Sequence, residues 1–250
     1  QSSSNYNVFT IASGATVKIY DMTIKGGSAT AVVNAGTLYL DNVTISNSGS
    51  STHGAGGINN SGALVMKNSS IIRNVAQYGG GFLNTGTLIM DNCSLSENRS
   101  INGWGGGAGE NEGTAYINNC TIANNTSAEI GGGINNTKGG KLYLMNSTFT
   151  GNVSTVSDPN YGGAIGNNSI DAESIVKAVN CIFAYNYTIN GSTITQSDIG
   201  MYNSSSNDIS LYHCVYTSIQ GDGTPTAVSD CSTDTTDLFA KIITGGVLYE

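Results

Sequence analysis

Apolar and polar residues alternate along this chain in short runs that return at regular intervals. The runs "GTLYLDNVTI", "GALVMKNSSI", "GTLIMDNCSL" and "GTAYINNCTI" begin at Gly36, Gly62, Gly86 and Gly113. The second and fourth residues before the shared asparagine are apolar, which is the period of a β-strand with one buried face. A helical repeat would show a period of 3.6 residues, and these runs are too short and too rich in Gly, Asn and Thr for helices. Each run therefore predicts one turn of a β-coil.

One asparagine, here called the anchor, recurs in the middle of every run. The anchors follow one another at steps of 24 to 34 residues and are Asn42, Asn68, Asn92, Asn119, Asn146 and Asn180. Asp21 and His213 occupy the corresponding first and last positions less regularly. Stacked coils place equivalent residues about 4.8 Å apart, so we expect a buried structural ladder of anchors at a coil corner. Asparagine tolerates the left-handed backbone that such a corner needs.

A repeat period of this length is typical of a solenoid, so the predicted fold is all-β: a parallel β-helix (β-solenoid) of about eight coils. We expect residues 1–250 to form a single β-helix domain. Its predicted parts are an N-terminal cap or first coil at 1–30, repeat coils at 31–214 and a C-terminal coil or cap at 215–250. The chain opens with "QSSSNYN", without an initiator methionine or a signal peptide, and we expect it to be a piece of a larger surface protein.

The later coils carry longer loops than the earlier ones. These insertions lie at 153–163, 166–174 and 186–208. Insertions in solenoids tend to gather on one face, which is often the binding face. The C-terminal loops are therefore one place where the sequence predicts recognition.

The same repeat alignment predicts how charged residues meet between coils. Lys67 falls between Asp41 and Asp91, and Arg73 falls beside Glu97. Opposite charges attract across neighbouring strands, whereas like charges there are destabilising. We expect these charges to form salt-bridge ladders rather than an acid/base site.

Composition and charge restrict the classes of molecule that the chain is expected to bind. Charged residues make up 10% of the chain, against about 25% in a typical soluble domain, and Gly contributes 34 residues. The net charge of -8, from 17 acidic and 9 basic residues, argues against nucleic acid or an anionic membrane as partner. No run approaches the roughly 18 apolar residues of a membrane span, so we expect this segment not to be membrane-embedded.

The five cysteines are an odd number and have no CxxC spacing or nearby histidines, so we expect no zinc site. They are Cys93, Cys120, Cys181, Cys214 and Cys231. Most of them fall one residue after an anchor, in a column otherwise filled by Ser or Val. Two interpretations are open: small buried free thiols, or disulfides between stacked neighbours, whose separation a disulfide tolerates.

The glycine clusters carry a family resemblance. "AGGINN" at 55–60, "GGGINN" at 131–136 and "GGAIGN" at 162–167, with "FTGN" at 149–152 and "FAYN" at 183–186, resemble the GGA(I/L/V) and FxxN repeats of chlamydial polymorphic outer-membrane proteins. They are also similar to bacterial and archaeal adhesin-like β-helix surface proteins, including those of methanogens. The resemblance spans about residues 30 to 190. It implies a right-handed parallel β-helix displayed outside the cell as part of an adhesin.

We therefore expect a noncatalytic, extracellular, adhesin-like stalk or passenger module, or a building unit of a surface layer or filament, without a cofactor. Its expected partners are other copies of itself, neighbouring surface proteins, or host or cell-surface glycans. The alternative is a polysaccharide lyase or glycoside hydrolase, which would need clustered carboxylates. Two acidic clusters, Glu110 with Glu112 and Asp171 with Glu173, read as solvated loop charge, with a metal such as calcium as the second interpretation.

An apolar column lies between the two inward positions of each strand and is expected to face solvent. It comprises Tyr39, Val65, Ile89, Tyr116 and Tyr143 and runs for about 19 Å. Ordinary strand preference explains such residues. The other interpretation is a binding stripe that contacts a second subunit or stacks on sugar rings.

Many Asn-x-Ser/Thr triplets match the acceptor pattern of N-glycosylation. Several fall on anchors, for which we expect burial to prevent modification. The acceptors predicted away from the anchors are Asn98, Asn190 and Asn203.

Overall fold

The structure is a computed structural model of the 250-residue chain. It describes residues 5–49, 54–101, 105–156, 158–168, 172–202, 208–221, 225 and 227–233. Apart from one 3-10 turn at Pro159–Tyr161, the regular elements in these ranges are β-strands. The strands stack in parallel, coil upon coil, which confirms the predicted parallel β-helix.

The first face of the helix is a nine-stranded parallel sheet, here called sheet A. Its strands are β1 (Phe9–Ile11), β3 (Val32–Asn34), β5 (Ile58–Asn60), β9 (Phe82–Asn84), β13 (Gly109–Asn111), β17 (Ile134–Asn136), β21 (Ile165–Asn168), β26 (Ile199–Tyr202) and β28 (Ile219–Gly221). In the inner strands the first residue is buried, and Ile58, Ile134 and Ile165 are 0% exposed. The glycine clusters before them are thus coil corners that lead into sheet A.

The second face, sheet B, has fourteen strands in two limbs. Its first limb contains β2 (Thr16–Lys25), β4 (Thr37–Ser46), β6 (Ala63–Lys67), β10 (Thr87–Asp91), β14 (Thr114–Asn118), β18 (Lys141–Met145), β22 (Ile175–Val179), β27 (Asp208–Tyr212) and β29 (Ala227–Ser229). The second limb contains β7 (Ser70–Ile72), β11 (Ser94–Ser96), β15 (Thr121–Ala123), β19 (Thr148–Thr150) and β23 (Ile182–Ala184). The long strands β2 and β4 belong to both limbs.

The third face, sheet C, has six short strands. They are β8 (Val75–Ala76), β12 (Arg99–Ser100), β16 (Thr126–Ser127), β20 (Val153–Ser154), β24 (Tyr187–Asn190) and β25 (Thr193–Gln196). Strand β25 pairs with β24 in the antiparallel direction. The insertion predicted at 186–208 therefore includes a hairpin whose second strand forms the edge of sheet C.

The two limbs of sheet B meet at the anchors, which have positive φ angles between 49° and 55° in all six cases. Asp21, His213 and Asp230 have the same left-handed conformation, which gives nine stacked corners against the eight or so coils expected. Apolar side chains from sheet A and from both limbs of sheet B form one core. Leu38, Leu64 and Leu88, for example, stack at equivalent positions and are at most 1% exposed.

The predicted ladders of charge are correct in register and only partly correct in contact. Arg73 donates through Nε to Oε2 of Glu97 at 2.8 Å, as expected. Asp41 and Asp91 do flank Lys67 in the strand pairing. Their carboxylates, however, accept hydrogen bonds at 2.8 Å from neighbouring asparagine amides rather than from the lysine.

Two ladders of buried asparagines run inside the coil, and neither coincides with the anchors. The first buried ladder is Asn34, Asn60, Asn84, Asn111, Asn136 and Asn167. The second buried ladder is Asn74, Asn98, Asn125, Asn152 and Asn186. In both, each amide nitrogen donates to the side-chain oxygen of the next coil at 2.7 to 3.1 Å. These ladders satisfy the polar backbone at the corners, where β-pairing is interrupted.

A carboxylate ends the second buried ladder. Asp198 is fully buried, and its Oδ1 accepts from the amide of Asn186 at 2.9 Å. Its Oδ2 accepts from the backbone N–H of Thr217 at 2.5 Å. Because a carboxylate only accepts, it closes a chain of donors that all point the same way. Burial raises the pKa of Asp198, although these donors oppose the shift.

The five cysteines are free thiols in the structure. They stack with serines in one column beside the anchors: the backbone N–H of Cys93 donates to Sγ of Cys120 at 3.3 Å, and that of Cys120 to Oγ of Ser147 at 3.1 Å. Four of the cysteines are buried, and Cys231 is half-buried. The small-residue interpretation matches this arrangement, in which sulfur and hydroxyl oxygen are interchangeable acceptors.

Candidate functional site

The predicted stripe lies on the outer face of the first limb of sheet B. Strand pairing places Tyr39, Val65, Ile89, Tyr116 and Tyr143 in one unbroken column. Tyr39, Ile89 and Tyr116 are 38 to 46% exposed, and the other two are half-buried. The column continues into Lys18 at one end and Lys177 at the other. The stripe is therefore a solvent-facing apolar ridge that ends in a cation on both sides.

Ring stacking decides what this ridge can contact. The Tyr116 and Tyr143 rings are 5.0 Å apart and within 12° of parallel, so each covers a face of the other. The ammonium of Lys18 lies 5.6 Å from the Tyr39 ring centre and covers one of its faces. A sugar ring that stacks on an aromatic side chain needs an exposed ring face. In each stripe tyrosine one ring face is therefore already occupied by a neighbouring ring or ammonium.

The anchors are exposed, which corrects the expectation of a buried ladder. Their amides do bond between coils: Asn92 donates to Asn68 at 2.7 Å, and Asn180 to Asn146 at 3.3 Å. The amide of Asn42 donates to Asp21 at 2.8 Å. The left-handed corner turns these side chains outward, so the ladder forms on the surface. Burial therefore does not separate anchor triplets from other glycosylation acceptors.

Among the predicted acceptors, Asn98 is wrong for the folded chain. Asn98 is 1% exposed and belongs to the second buried ladder, where its amide donates to the backbone of Ile71 at 2.8 Å. A glycan on this nitrogen would have to replace those bonds inside the core. Asn190 is exposed at the tip of the sheet C hairpin, beside Gly191 with φ of 57°. Asn203 lies outside the described residues.

Glu110 was expected to be solvated loop charge, and this is wrong. Glu110 occupies the middle of strand β13 on the outer face of sheet A, in a column with Asn59, Leu83 and Asn135. Glu110 is nevertheless only 2% exposed. The backbone of Gly106 passes close to this part of sheet A, since a Cβ there would lie 2.5 Å from the backbone nitrogen of Asn135. Its Oε2 has no hydrogen-bond donor among the described residues.

Burial, and then the charge of the neighbouring Glu112, raise the pKa of the Glu110 carboxyl from 4.5 to about 8. A hydrogen bond with the Glu112 side chain contributes to this shift, and Lys138 opposes it. A carboxyl with this pKa is mainly protonated at neutral pH. Glu110 then acts as a neutral donor beside the Glu112 carboxylate.

Lys138 reaches this pair because its coil contains a longer turn. Earlier coils cross this corner with one residue between the ladder asparagine and glycine, whereas "NTKGGK" inserts two more at 138–139. Gly140 N–H donates to the Thr137 carbonyl at 2.9 Å, and Lys138 and Gly139 both have positive φ, as in a type I′ turn. The turn places Nζ of Lys138 2.5 Å from Oε1 of Glu112.

These side chains border a cleft of about 460 Å³ on the outer face of sheet A. Its lining residues are Gly54, Asn59, Tyr78, Leu83, Glu110, Glu112 and Lys138. Asn59, Tyr78 and Leu83 are half-buried, and the Glu112 and Lys138 side chains are 21% and 51% exposed. The cleft combines an apolar floor, an aromatic wall and an ion pair at its rim.

The second acidic cluster does not form a comparable site. Glu173 is exposed, and Asp171 lies outside the described residues. Within the part of the chain that the structure describes, no group of three or more His, Cys, Asp or Glu residues is arranged to hold a metal ion. The described residues also include no helix of the length and hydrophobicity required to span a membrane.

Comparisons with known proteins add no relative. No family model matches the chain, no curated protein matches it, and no solved structure matches it.

Proposed function

We propose that this protein is a noncatalytic, extracellular β-helix module: an adhesin-like stalk or passenger, or a building unit of a surface layer or filament. The observation that carries the proposal is the uninterrupted stacking of the coil. Nine strands of sheet A follow one another in strict order, and the polar corners between them are joined by ladders that extend over most of the length. At about 4.8 Å a layer, nine layers make a rod roughly 40 Å long.

A rod of this kind suits display, because its length depends on the number of coils and its faces repeat along the axis. The resemblance of its glycine and FxxN motifs to adhesin-like surface repeats points the same way. The exposed stripe of sheet B offers a contact surface for a second copy or a neighbouring surface protein. Host or cell-surface glycans are the third class of partner.

Antibodies against the purified chain test the proposed location. They are expected to label intact cells of the source organism, and brief protease treatment of those cells is expected to remove the label. Labelling that requires permeabilised cells would contradict the proposal. Size-exclusion chromatography across a concentration series then separates the two forms: an adhesin module stays monomeric, whereas a building unit grows.

The second candidate is a polysaccharide-active enzyme, favoured by the Glu110 and Glu112 pair, since catalytic carboxyls commonly differ in pKa in this way. It ranks second because a general acid must reach the substrate within hydrogen-bond distance. The Glu110 side chain borders the cleft but is only 2% exposed. Incubation with a panel of plant, algal and bacterial polysaccharides tests it, and release of new reducing ends or unsaturated sugars would reverse the ranking.

A further inference from the structure

We propose that the cleft on the outer face of sheet A binds a neutral saccharide of one or two rings, held by Glu112, Lys138, Asn59 and Tyr78. This inference adds a ligand to the proposed surface module. Its test uses the purified chain, so a negative result would leave the proposed location untouched.

The size and lining of the cleft fit such a ligand. Its volume of about 460 Å³ falls in the range of small-molecule sites, and it is open to solvent at the Lys138 end. Sugar hydroxyls donate and accept hydrogen bonds at the same time. Around this cleft the Glu112 carboxylate accepts, the Lys138 ammonium donates, and the Asn59 amide does both.

The apolar lining lies opposite these polar groups. Leu83 separates Asn59 from Glu110 in the outward column of sheet A and forms the floor. Tyr78 forms a wall. The stripe tyrosines of sheet B cover one another, but no ring stacking involves Tyr78 among the described residues. Tyr78 can therefore offer a ring face to the apolar side of a sugar.

Glu110 distinguishes this cleft from an ordinary surface depression. A carboxyl that is 2% exposed and has no donor for Oε2 is costly to bury, so the surrounding side chains have to compensate it. It stands behind Glu112 and acts through it, which makes Glu110 a positioning residue. A protonated Glu110 can hold the Glu112 carboxylate in place by a hydrogen bond, and the pKa of about 8 keeps that proton at neutral pH.

The charge balance selects a neutral ligand. With Glu110 protonated, the charges that the described residues bring to the cleft are one carboxylate and one ammonium, 2.5 Å apart. An anionic ligand would meet Glu112, and the chain as a whole carries a net charge of -8. Among the residues that the structure describes, a divalent cation would find two carboxyls here, one of which already has the Lys138 ammonium as partner.

Saturation-transfer NMR on the purified chain tests the proposal with cellobiose, lactose, maltose and N,N′-diacetylchitobiose as probes. At least one disaccharide is expected to receive saturation. Glu112→Gln and Tyr78→Ala are each expected to weaken that binding about tenfold or more. The matched control is Tyr116→Ala, which removes a tyrosine from the stripe and is expected to leave binding unchanged. Circular dichroism checks that each variant keeps its strands.

A pH series adds a measurement that a purely structural role of Glu110 would not change. Binding to the wild-type chain is expected to weaken between pH 7 and 9, as two adjacent carboxylates form, and binding to Glu110→Gln is expected to stay constant. The proposal fails if none of the four probes binds or if binding survives both cleft variants. It also fails if calcium chloride alone titrates the cleft signals, or if Glu110→Gln keeps the wild-type pH response.

Discussion

Replacing Asn125 by alanine tests whether the buried ladders hold the coils together. The side-chain oxygen of Asn125 accepts the backbone N–H of Asn98 at 2.9 Å and its amide at 3.1 Å. The Asn125 amide donates to the carbonyls of Leu95 and Ala123 and to Asn152 at 2.9 to 3.1 Å. Alanine removes these bonds and leaves two buried donors of Asn98 without acceptors. At about 1 kcal/mol for each of the three bonds donated by Asn125 and 1 to 3 kcal/mol for each orphaned donor of Asn98, the expected loss is roughly 5 to 9 kcal/mol.

The assay is thermal and urea unfolding followed by far-ultraviolet circular dichroism. A loss of this size lowers the melting temperature by about 10 to 30 °C in a chain of this length. The adjacent Asn124 supplies a matched control: it is exposed and has a φ of 56°, which glycine adopts readily. Asn124→Gly is therefore expected to change stability by less than about 1 kcal/mol. If Asn125→Ala unfolds within about 1 kcal/mol of the wild type, the ladders do not stabilise the coil as argued here.

Three further outcomes are expected. The pKa of Glu110 is raised to about 8, so the folded state keeps a proton that the unfolded state loses above pH 4.5. The free energy of unfolding should therefore fall by roughly 5 kcal/mol as the pH rises from 4.5 to 8. Melting curves of Glu110→Gln should lack this pH dependence. Gly109→Ala places a methyl group 2.2 Å from the ring of Phe82 and should lower the free energy of unfolding in urea by about 1 to 3 kcal/mol. Adding Phe82→Leu to the same chain should restore part of that loss. If the double variant instead loses the sum of the two single-variant losses, this packing is contradicted. Alkylation of the denatured chain without reductant should modify five cysteines by mass spectrometry, and fewer would indicate bridges between stacked coils.

Strand positions were predictable because burial in a solenoid follows a period of two and repeats between coils. Aligning the anchors was sufficient to place Tyr39 beside Val65 and Asp41 beside Lys67, as the strand pairing confirms. The number of coils and the hairpin at Tyr187–Gln196 were less accessible, since the repeat weakens where loops lengthen.

The buried asparagines were missed although their signal is present. The last residue of "FTGN" and of "FAYN" is a member of the second buried ladder, and "LSEN" at 95–98 has the same spacing. Read as part of that motif, Asn98 is an interior residue rather than a glycosylation acceptor. Which asparagine of a corner faces inward depends on the direction of the backbone at that corner. The amino-acid sequence alone does not give this direction.

Glu110 illustrates a second limit of the sequence prediction, namely that the burial of an outward-facing side chain cannot be derived from the strand alignment. Its position in the middle of a strand follows from the alignment with Leu83 and Asn135. Its burial does not, because an outward-facing strand residue is expected to be exposed, and the alignment does not show how the segment around Gly106, which belongs to no strand, approaches sheet A. The contact of Lys138 with Glu112 likewise depends on a two-residue lengthening of one turn.

In both buried ladders, the hydrogen bonds from one asparagine side chain to the next all run toward the C-terminal coil. Each amide of the second buried ladder donates to a backbone carbonyl of the preceding coil and to the side-chain oxygen of the following coil. Each finished layer therefore presents one donor that the following layer has to satisfy. Asp198 receives the last of these hydrogens and has none to pass on. We expect that whole coils with an asparagine at this position can be inserted or deleted before Asp198. The length of the rod can then be changed one coil at a time. An aspartate at an earlier position of this ladder would accept a hydrogen bond but donate none to the next coil, so the ladder would end there.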